Sequence, residues 1–224
     1  MRLRNAMTVL GLVATFAAAG YSSTALAAPI TSASSSVETL KTFDGDYGVT
    51  QDSGFSLPAI PIQKVKPEFR RQIISYQTTE APGTIIVNTR ERHLYYVMPD
   101  GQAMRYGISV GKAGFAWSGN AYVAWKQEWP NWHPPKEMAE RRPEIAKFVE
   151  GGMNPGLENP LGARAMYLYN DKGQDTLFRL HGTPEWASIG TAASSGCIRL
   201  INQDVIDLYS RVLPGHTTKV VVIQ

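Results

Sequence analysis

The sequence predicts a mostly β fold. Two patterns carry that reading: short runs of β-branched and aromatic residues, and Pro, Asp or Gly turns that separate them. The compact domain is expected over residues 83–224, and its strands can be justified in chain order. Thr84-Ile85-Ile86-Val87 is a β-branched run that stops at the turn residue Asn88, and His93 to Met98 is a second strand ending at the turn Pro99-Asp100-Gly101. Gln102 to Val110 alternates as a third. Gly111 to Gly119 reads as a Gly-rich loop holding Phe115 and Trp117, and Ala121 to Gln127 as a further strand. Ala165 to Tyr169 and Thr176 to Leu180 flank the turn Asn170-Asp171-Lys172-Gly173, and Lys219 to Ile223 forms a closing strand.

Between these strands lies a segment of different character. Residues 128–135 hold three prolines and two tryptophans, which excludes regular structure. Lys136 to about Val149 reads as helical, interrupted by Pro143, and residues 151–156 as a loop. Tryptophan is costly to leave exposed. Residues 128–158 are therefore expected to form an insertion that caps a cleft. A second helix follows residue 201. Asn202 is its expected cap, Asp204 suits its first turn, and Val205, Ile206, Leu208, Tyr209 and Val212 form its apolar face before Pro214-Gly215 ends it.

Residues 1–27 read as a secretory signal: Arg2 and Arg4, an apolar run from Met7 to about Ala19, then Ala25-Leu26-Ala27 at a cleavage site. The run is too short to span a bilayer comfortably. Residues 28–82 read as a flexible N-terminal extension rich in Ser, Thr, Gly and Asp, with a short helix over Glu68 to Ser75. Loss of Arg2 and Arg4 from the 22 Lys+Arg leaves 20 basic against 19 acidic residues. That balance gives no electrostatic footprint for nucleic acid.

Cys197 is the only cysteine of the chain. In an exported protein a structural cysteine has a partner, and this one has none within the chain, which favours a reactive thiol or an intermolecular link. Small flexible residues surround it in Ser194-Ser195-Gly196-Cys197, and His181 stands at the end of the preceding strand. A histidine in reach activates a thiol as nucleophile and protonates a leaving amine. No carboxylate neighbours His181, so the carbonyl of Gly182 is the expected orienter. Gly196 allows a sharp turn that aims backbone amides at an oxyanion. Arg199 suits bidentate binding of a carboxylate or a structural ion pair. Ser194, Ser195 and Trp117 complete the expected substrate-binding set. His93, His133 and His216 lack metal-ligand spacing, and no metal is expected.

His181-Gly182-Thr183 followed by Ser194-Ser195-Gly196-Cys197-Ile198-Arg199-Leu200 resembles the signature of the L,D-transpeptidase catalytic domain, the YkuD or ErfK/YbiS family. The resemblance covers about residues 83–224, including Asn159-Pro160-Leu161-Gly162. Ser195 stands where many members carry a histidine, as in a subgroup of exported Gram-negative members. The resemblance implies a β-sandwich of mixed strands with Cys197 and His181 in a cleft under a lid. It implies that Cys197 attacks a peptidoglycan tetrapeptide stem after the L-centre of its third residue, releases D-Ala and forms a thioester. An amine then takes the acyl group, giving a 3→3 cross-link or attachment of an outer-membrane protein or lipoprotein. It further implies acylation by carbapenems, a periplasmic location, Arg199 at the substrate carboxylates, and no metal or other cofactor. A hydrolase or L,D-carboxypeptidase, a peptidoglycan–protein amidase and a non-catalytic wall-binding module remain as alternatives. Sortases place their arginine far downstream of the cysteine, and NlpC/P60 peptidases place cysteine before histidine, so the order here disfavours both.

Overall fold

The computed structural model describes residues 37–111, 117–192 and 197–224. The expected signal at 1–27, the first residues of the expected extension, and Ser194, Ser195 and Gly196 lie outside the described residues. Thirteen strands are described: β1 (Thr39–Thr42), β2 (Thr50–Asp52), β3 (Phe55–Leu57), β4 (Gln72–Ser75), β5 (Ile85–Asn88), β6 (His93–Met98), β7 (Gln102–Gly107), β8 (Ser109–Val110), β9 (Gly119–Glu128), β10 (Arg164–Tyr169), β11 (Asp175–Thr183), β12 (Ile198–Ile201) and β13 (Lys219–Ile223). Three α-helices accompany them: α1 (Lys136–Arg141), α2 (Phe148–Gly151) and α3 (Asn202–Arg211). The mostly β expectation is met.

Eleven strands form one sheet in the order β1-β4-β7-β6-β5-β13-β9-β10-β11-β12-β8, and β2 pairs with β3 apart from it. Only β13 with β5 and β11 with β12 pair in parallel, so the sheet is mixed. One local feature shows how it curls. β7 and β8 are separated by Ile108 alone, yet they occupy the third and the last places in the sheet. One residue can bridge those places only if the sheet bends back on itself. Its inner faces then share one core: Leu94, Met104 and Tyr106 join Met166, Leu168, Leu180 and Ile198, and α3 closes it with Val205 and Leu208. The expected sandwich is thus a single continuous sheet folded over its own core.

The extension departs from expectation over residues 37–82, which are ordered. β1 pairs with β4, and β4 with β7, so the first residues extend the sheet edge. Glu68 to Ser75 is not a helix: a 3₁₀ turn at Pro67–Phe69 leads directly into β4. The alternating burial of Gln72 to Ser75 suits a strand and cannot line one face of a helix. Tyr47 is buried and donates its hydroxyl to Asp204 of α3 at 3.1 Å, while Arg71 reaches Asp207 at 3.3 Å. Asp52 accepts two bonds from Arg164 at 2.7 Å and one from the Trp129 indole. Such a bidentate pair fixes the β2–β3 hairpin against the ends of β9 and β10. Polar composition suggested flexibility, but these polar groups find partners on the domain.

Two helix expectations also change. Lys136 to Val149 resolves into α1, a 3₁₀ turn at Pro143–Ile145 and α2, because proline removes a helical donor. Asn202 does not cap α3; Ile201 precedes the helix, and the Asn202 side-chain Oδ1 accepts the Ala163 amide at 2.9 Å instead.

Candidate active site

The site rests on the two-residue period of neighbouring strands. Leu180, Ile198 and Leu200 face the core and are fully covered. Arg179 and His181 on β11 must then point the other way, as must Cys197 and Arg199. β11 and β12 are parallel, with Leu180 opposite Ile198 and His181 opposite Arg199. The same register places Arg179 beside Cys197, and the thiol takes a hydrogen bond from the Arg179 backbone. Four reactive or charged side chains thus form a square on one face of a strand pair.

His181 is buried, and its Nδ1 lies 2.6 Å from the Gly182 carbonyl oxygen. A carbonyl only accepts, so Nδ1 carries the proton and Nε2 keeps its lone pair. Burial lowers the His181 pKa to about 4, and the Arg199 and Arg179 charges act in the same direction. Hydrogen bonding to the Gly182 and Leu161 backbone opposes them. Burial raises the Cys197 thiol above its usual value, more than the Arg179 and Arg199 charges lower it. The resting pair is therefore neutral thiol and neutral imidazole.

A consequence for pH follows. A base must be unprotonated, so the acid limb of acylation kcat/KM is expected near pH 4 instead of near 6.5. Arg199→Gln should move it upward, because a positive charge that disfavours imidazolium is removed. A wild-type limb at pH 6 or above in a pH–rate profile would contradict this. The linkage has the matching sign: His181 contributes stability above pH 6.5 that is lost as pH falls towards 4.

Glycines let the strands behind His181 approach closely. A Cβ on Gly182 would collide with Asn202 Oδ1 and lie 3.0 Å from Val205 Cγ1. Gly162, at φ +62°, abuts the same Asn202 oxygen and the Gly182 backbone. Gly182→Ala is expected to destabilise the fold by about 1–3 kcal/mol. Urea denaturation measures this, and a loss below about 0.5 kcal/mol, ordinary for a neutral surface change, would show that the site can relax.

Two cavities meet at Cys197. One of about 370 Å³ is bordered by His181, Arg199, Glu185, Arg142 and Glu158. The other, of about 640 Å³, is more apolar and is bordered by Tyr167, Leu177, Phe178 and Arg179. Trp132, Met138 and Leu161 belong to both. Residues 128–158 therefore wall the cleft. Paired hydrogen bonds join Trp132 and Met153 across this segment, and buried Asn159 anchors it by donating to the carbonyls of Pro130 and Asn154.

The structure brings together Cys197, His181, Gly182 and Arg199 from the expected set. Arg199 also bonds the exposed carboxylate of Glu185 at 3.0 Å. Trp117 borders neither cavity; it stacks on Phe178 with ring centroids 4.6 Å apart and backs the wall from behind. His93 bonds the Glu68 carbonyl, and His133 borders the larger cavity. Among the described residues no group of three His, Cys, Asp or Glu is placed to hold a metal. Sequence reasoning missed Arg179, although its two-residue spacing from His181 was visible. It also missed Arg142, for which no local pattern existed.

Residues 82–223 match the family model described as YkuD, L,D-transpeptidase catalytic domain. A probable L,D-transpeptidase ErfK/SrfK of Escherichia coli K12 is 33% identical over 194 residues, covering 81% of this chain and 59% of the relative. A probable L,D-transpeptidase YcfS of the same organism is 31% identical over 170 residues, covering 74% of this chain and 49% of the relative. The chain thus spans roughly half to three-fifths of the length of these relatives. A solved structure described as a probable carnitine operon oxidoreductase CaiA from Brucella melitensis is 46% identical, covering 69% of this chain and 95% of that one, with a TM-score of 0.49. The family model matches more than half of this chain, so the chain belongs to the YkuD family of L,D-transpeptidase catalytic domains, as the resemblance implied.

Proposed function

We propose that this chain is a peptidoglycan L,D-transpeptidase with Cys197 as nucleophile and His181 as general base and acid. The observation that carries the reading is the square of Arg179, His181, Cys197 and Arg199 where two cavities meet. The thiol proton passes to His181 Nε2 as sulfur attacks the carbonyl carbon of the third stem residue. The Gly182 carbonyl holds the ring and stabilises the imidazolium that forms. The Cys197 amide, with a neighbour such as that of Gly196, receives the oxyanion. The C–N bond to D-Ala breaks, and the Nε2 proton goes to the departing nitrogen, leaving a thioester. An acceptor amine attacks that thioester, gives its proton to Nε2, and sulfur leaves and is reprotonated. One amide is exchanged for another without oxidation or reduction.

The two cavities suit the two sides of the scissile bond. The terminal D-Ala carries a free carboxylate, and Arg199 and Arg142 border the smaller cavity. The preceding stem residues occupy the larger one. Once D-Ala has gone, the smaller cavity is free for the acceptor: a second stem, or the amine of a lipoprotein or outer-membrane protein. Residues 128–158 act as a lid that excludes water from the thioester. Ser194 and Ser195 contribute to substrate binding, and carbapenems acylate the same sulfur. Residues 1–27 direct the chain to the periplasm of a Gram-negative envelope. No helix among the described residues is long and apolar enough to cross a membrane.

Incubation with a disaccharide-tetrapeptide tests the reading. A cross-linked dimer, with D-Ala released, is the expected product. Tripeptide and D-Ala alone would replace transpeptidation by hydrolysis, and no reaction would remove the enzymatic reading.

A further inference from the structure

A line of side chains crosses the sheet from the nucleophile to an exposed tryptophan. Cys197 lies beside Arg179 by the register of β11 with β12; Arg179 is opposite Tyr167 on β10, and Tyr167 is opposite Trp125 on β9. Residues opposite one another share a face, so all four stand on the side of the sheet that bears the cleft. They also touch. The Arg179 guanidinium sits 4.5 Å from the centre of the Tyr167 ring, and Tyr167 stacks on Trp125 with centroids 3.4 Å apart and 7° between the planes. Tyr167 borders the larger cavity, so the aromatic pair continues that cavity outward.

Trp125 is 42% exposed. Its position opposite Tyr167 is held by strand register, so a rigid aromatic surface is kept in water beside the site. Nothing in the core requires it: the inward neighbours on this strand, Ala121 and Val123, fill the core without it. A flat exposed indole with a polar N–H edge suits a ligand that has an apolar face and hydroxyl groups around its rim. A pyranose ring has that character.

Distance identifies which sugar. Strands lie about 4.8 Å apart, so three steps put Trp125 roughly 14 Å from Cys197. Three residues of extended peptide span about 10 Å. A stem whose third carbonyl lies at Cys197 therefore brings its sugar attachment to the neighbourhood of the β10–β9 pair. We propose that Trp125, supported by Tyr167, is the docking platform for the glycan that bears the donor stem, with the ring face of that sugar laid on the indole. This rests on the transpeptidase reading for the identity of the donor, and it adds a specificity-determining residue outside the cleft. The stem then runs along the row through the larger cavity, past Arg179, to Cys197.

Two measurements test it separately from the chemistry. The first is a titration of the full protein with peptide-free N-acetylglucosaminyl-N-acetylmuramic acid, followed by the indole N–H signal that disappears in Trp125→Phe. A saturable shift of that signal is expected. Its absence at tens of millimolar disaccharide overturns the proposal whether or not the protein is a transpeptidase. The second is the ratio of acylation kcat/KM for disaccharide-tetrapeptide to that for the free tetrapeptide. Trp125→Ala is expected to lower that ratio about tenfold, the loss of one stacked ring, and Trp125→Phe to restore most of it. An unchanged ratio in Trp125→Ala overturns the platform. A normal donor ratio with slowed transfer to a protein amine would assign the surface to an acceptor segment and overturn it too. Failure of wild type to be acylated by either substrate would instead overturn the transpeptidase reading, while the disaccharide titration still decides the platform.

Discussion

Cys197→Ala is expected to take up no carbapenem and to form no cross-linked product. Every step of the proposed reaction passes through the sulfur: it attacks the donor carbonyl, carries the acyl group and is displaced by the acceptor. Loss of a covalent nucleophile lowers turnover on the order of 10⁶-fold, which places the variant below detection. The change should leave the fold intact. Cys197 is only partly covered, it stands just outside β12, and the neighbouring core positions Ile198 and Leu200 are untouched. Intact-protein mass spectrometry after meropenem treatment reads the result directly. Wild type should gain one adduct and the variant none. The same adduct on both proteins would show that another residue reacts and would end the assignment of Cys197.

His181→Ala is expected to slow acylation by 10²–10⁴-fold, the usual contribution of a positioned general base. The pH dependence of that deficit separates a chemical role from a structural one. Burial holds the Cys197 thiol above its ordinary pKa, so in the variant little thiolate exists at neutral pH and no base stands ready to take the proton. As pH rises through the thiol pKa the sulfur ionises without help. The gap between variant and wild type should therefore narrow progressively above pH 9. Merely disturbed geometry would leave a gap that pH does not change. Meropenem acylation rates from pH 6 to 10 provide the measurement, with circular dichroism to establish that the variant remains folded. A deficit under tenfold at pH 7, or one that stays constant with pH, would remove His181 as the base. Some loss of stability is expected as well, since His181 is almost fully covered and its bond to Gly182 is lost.

The neutral resting state of the pair links these results. Both groups are pushed towards their uncharged forms by the same cause, removal from water, and the nearby Arg179 and Arg199 stabilise thiolate but oppose imidazolium. Proton transfer is then a part of the attack, not a step completed before substrate arrives. In the proposed reaction the pair stays largely un-ionised until a substrate carbonyl is in place, which limits adventitious oxidation of the thiol.

Local patterns made much of this molecule legible. Alternation in Arg179-Leu180-His181 and Cys197-Ile198-Arg199-Leu200 needs only the two-residue period of a strand to place core residues on one face and reactive ones on the other. The runs Ile85–Asn88, His93–Met98 and Lys219–Ile223 carry their own β preference and became strands at those places. The pairing of a lone cysteine with a preceding histidine, and the family it belongs to, was also present in the chain. Other features depended on partners far away in sequence. Residues 37–82 read as flexible because their polar groups have no local use, but Tyr47 meets Asp204 and Asp52 meets Arg164 across more than a hundred positions. Asn202 looked like a helix cap until the backbone of Ala163 claimed its oxygen.

Side-chain type and strand period are local properties, so the chain alone marks which residues are suited to the proposed chemistry. Tertiary structure decided which of them meet. The register of β11 against β12 set His181 opposite Arg199 and put Arg179 at the thiol, and burial between strands set the charge state of the pair. Pairing register and desolvation arise only when distant segments exclude water from one another, so no window of the sequence contains them.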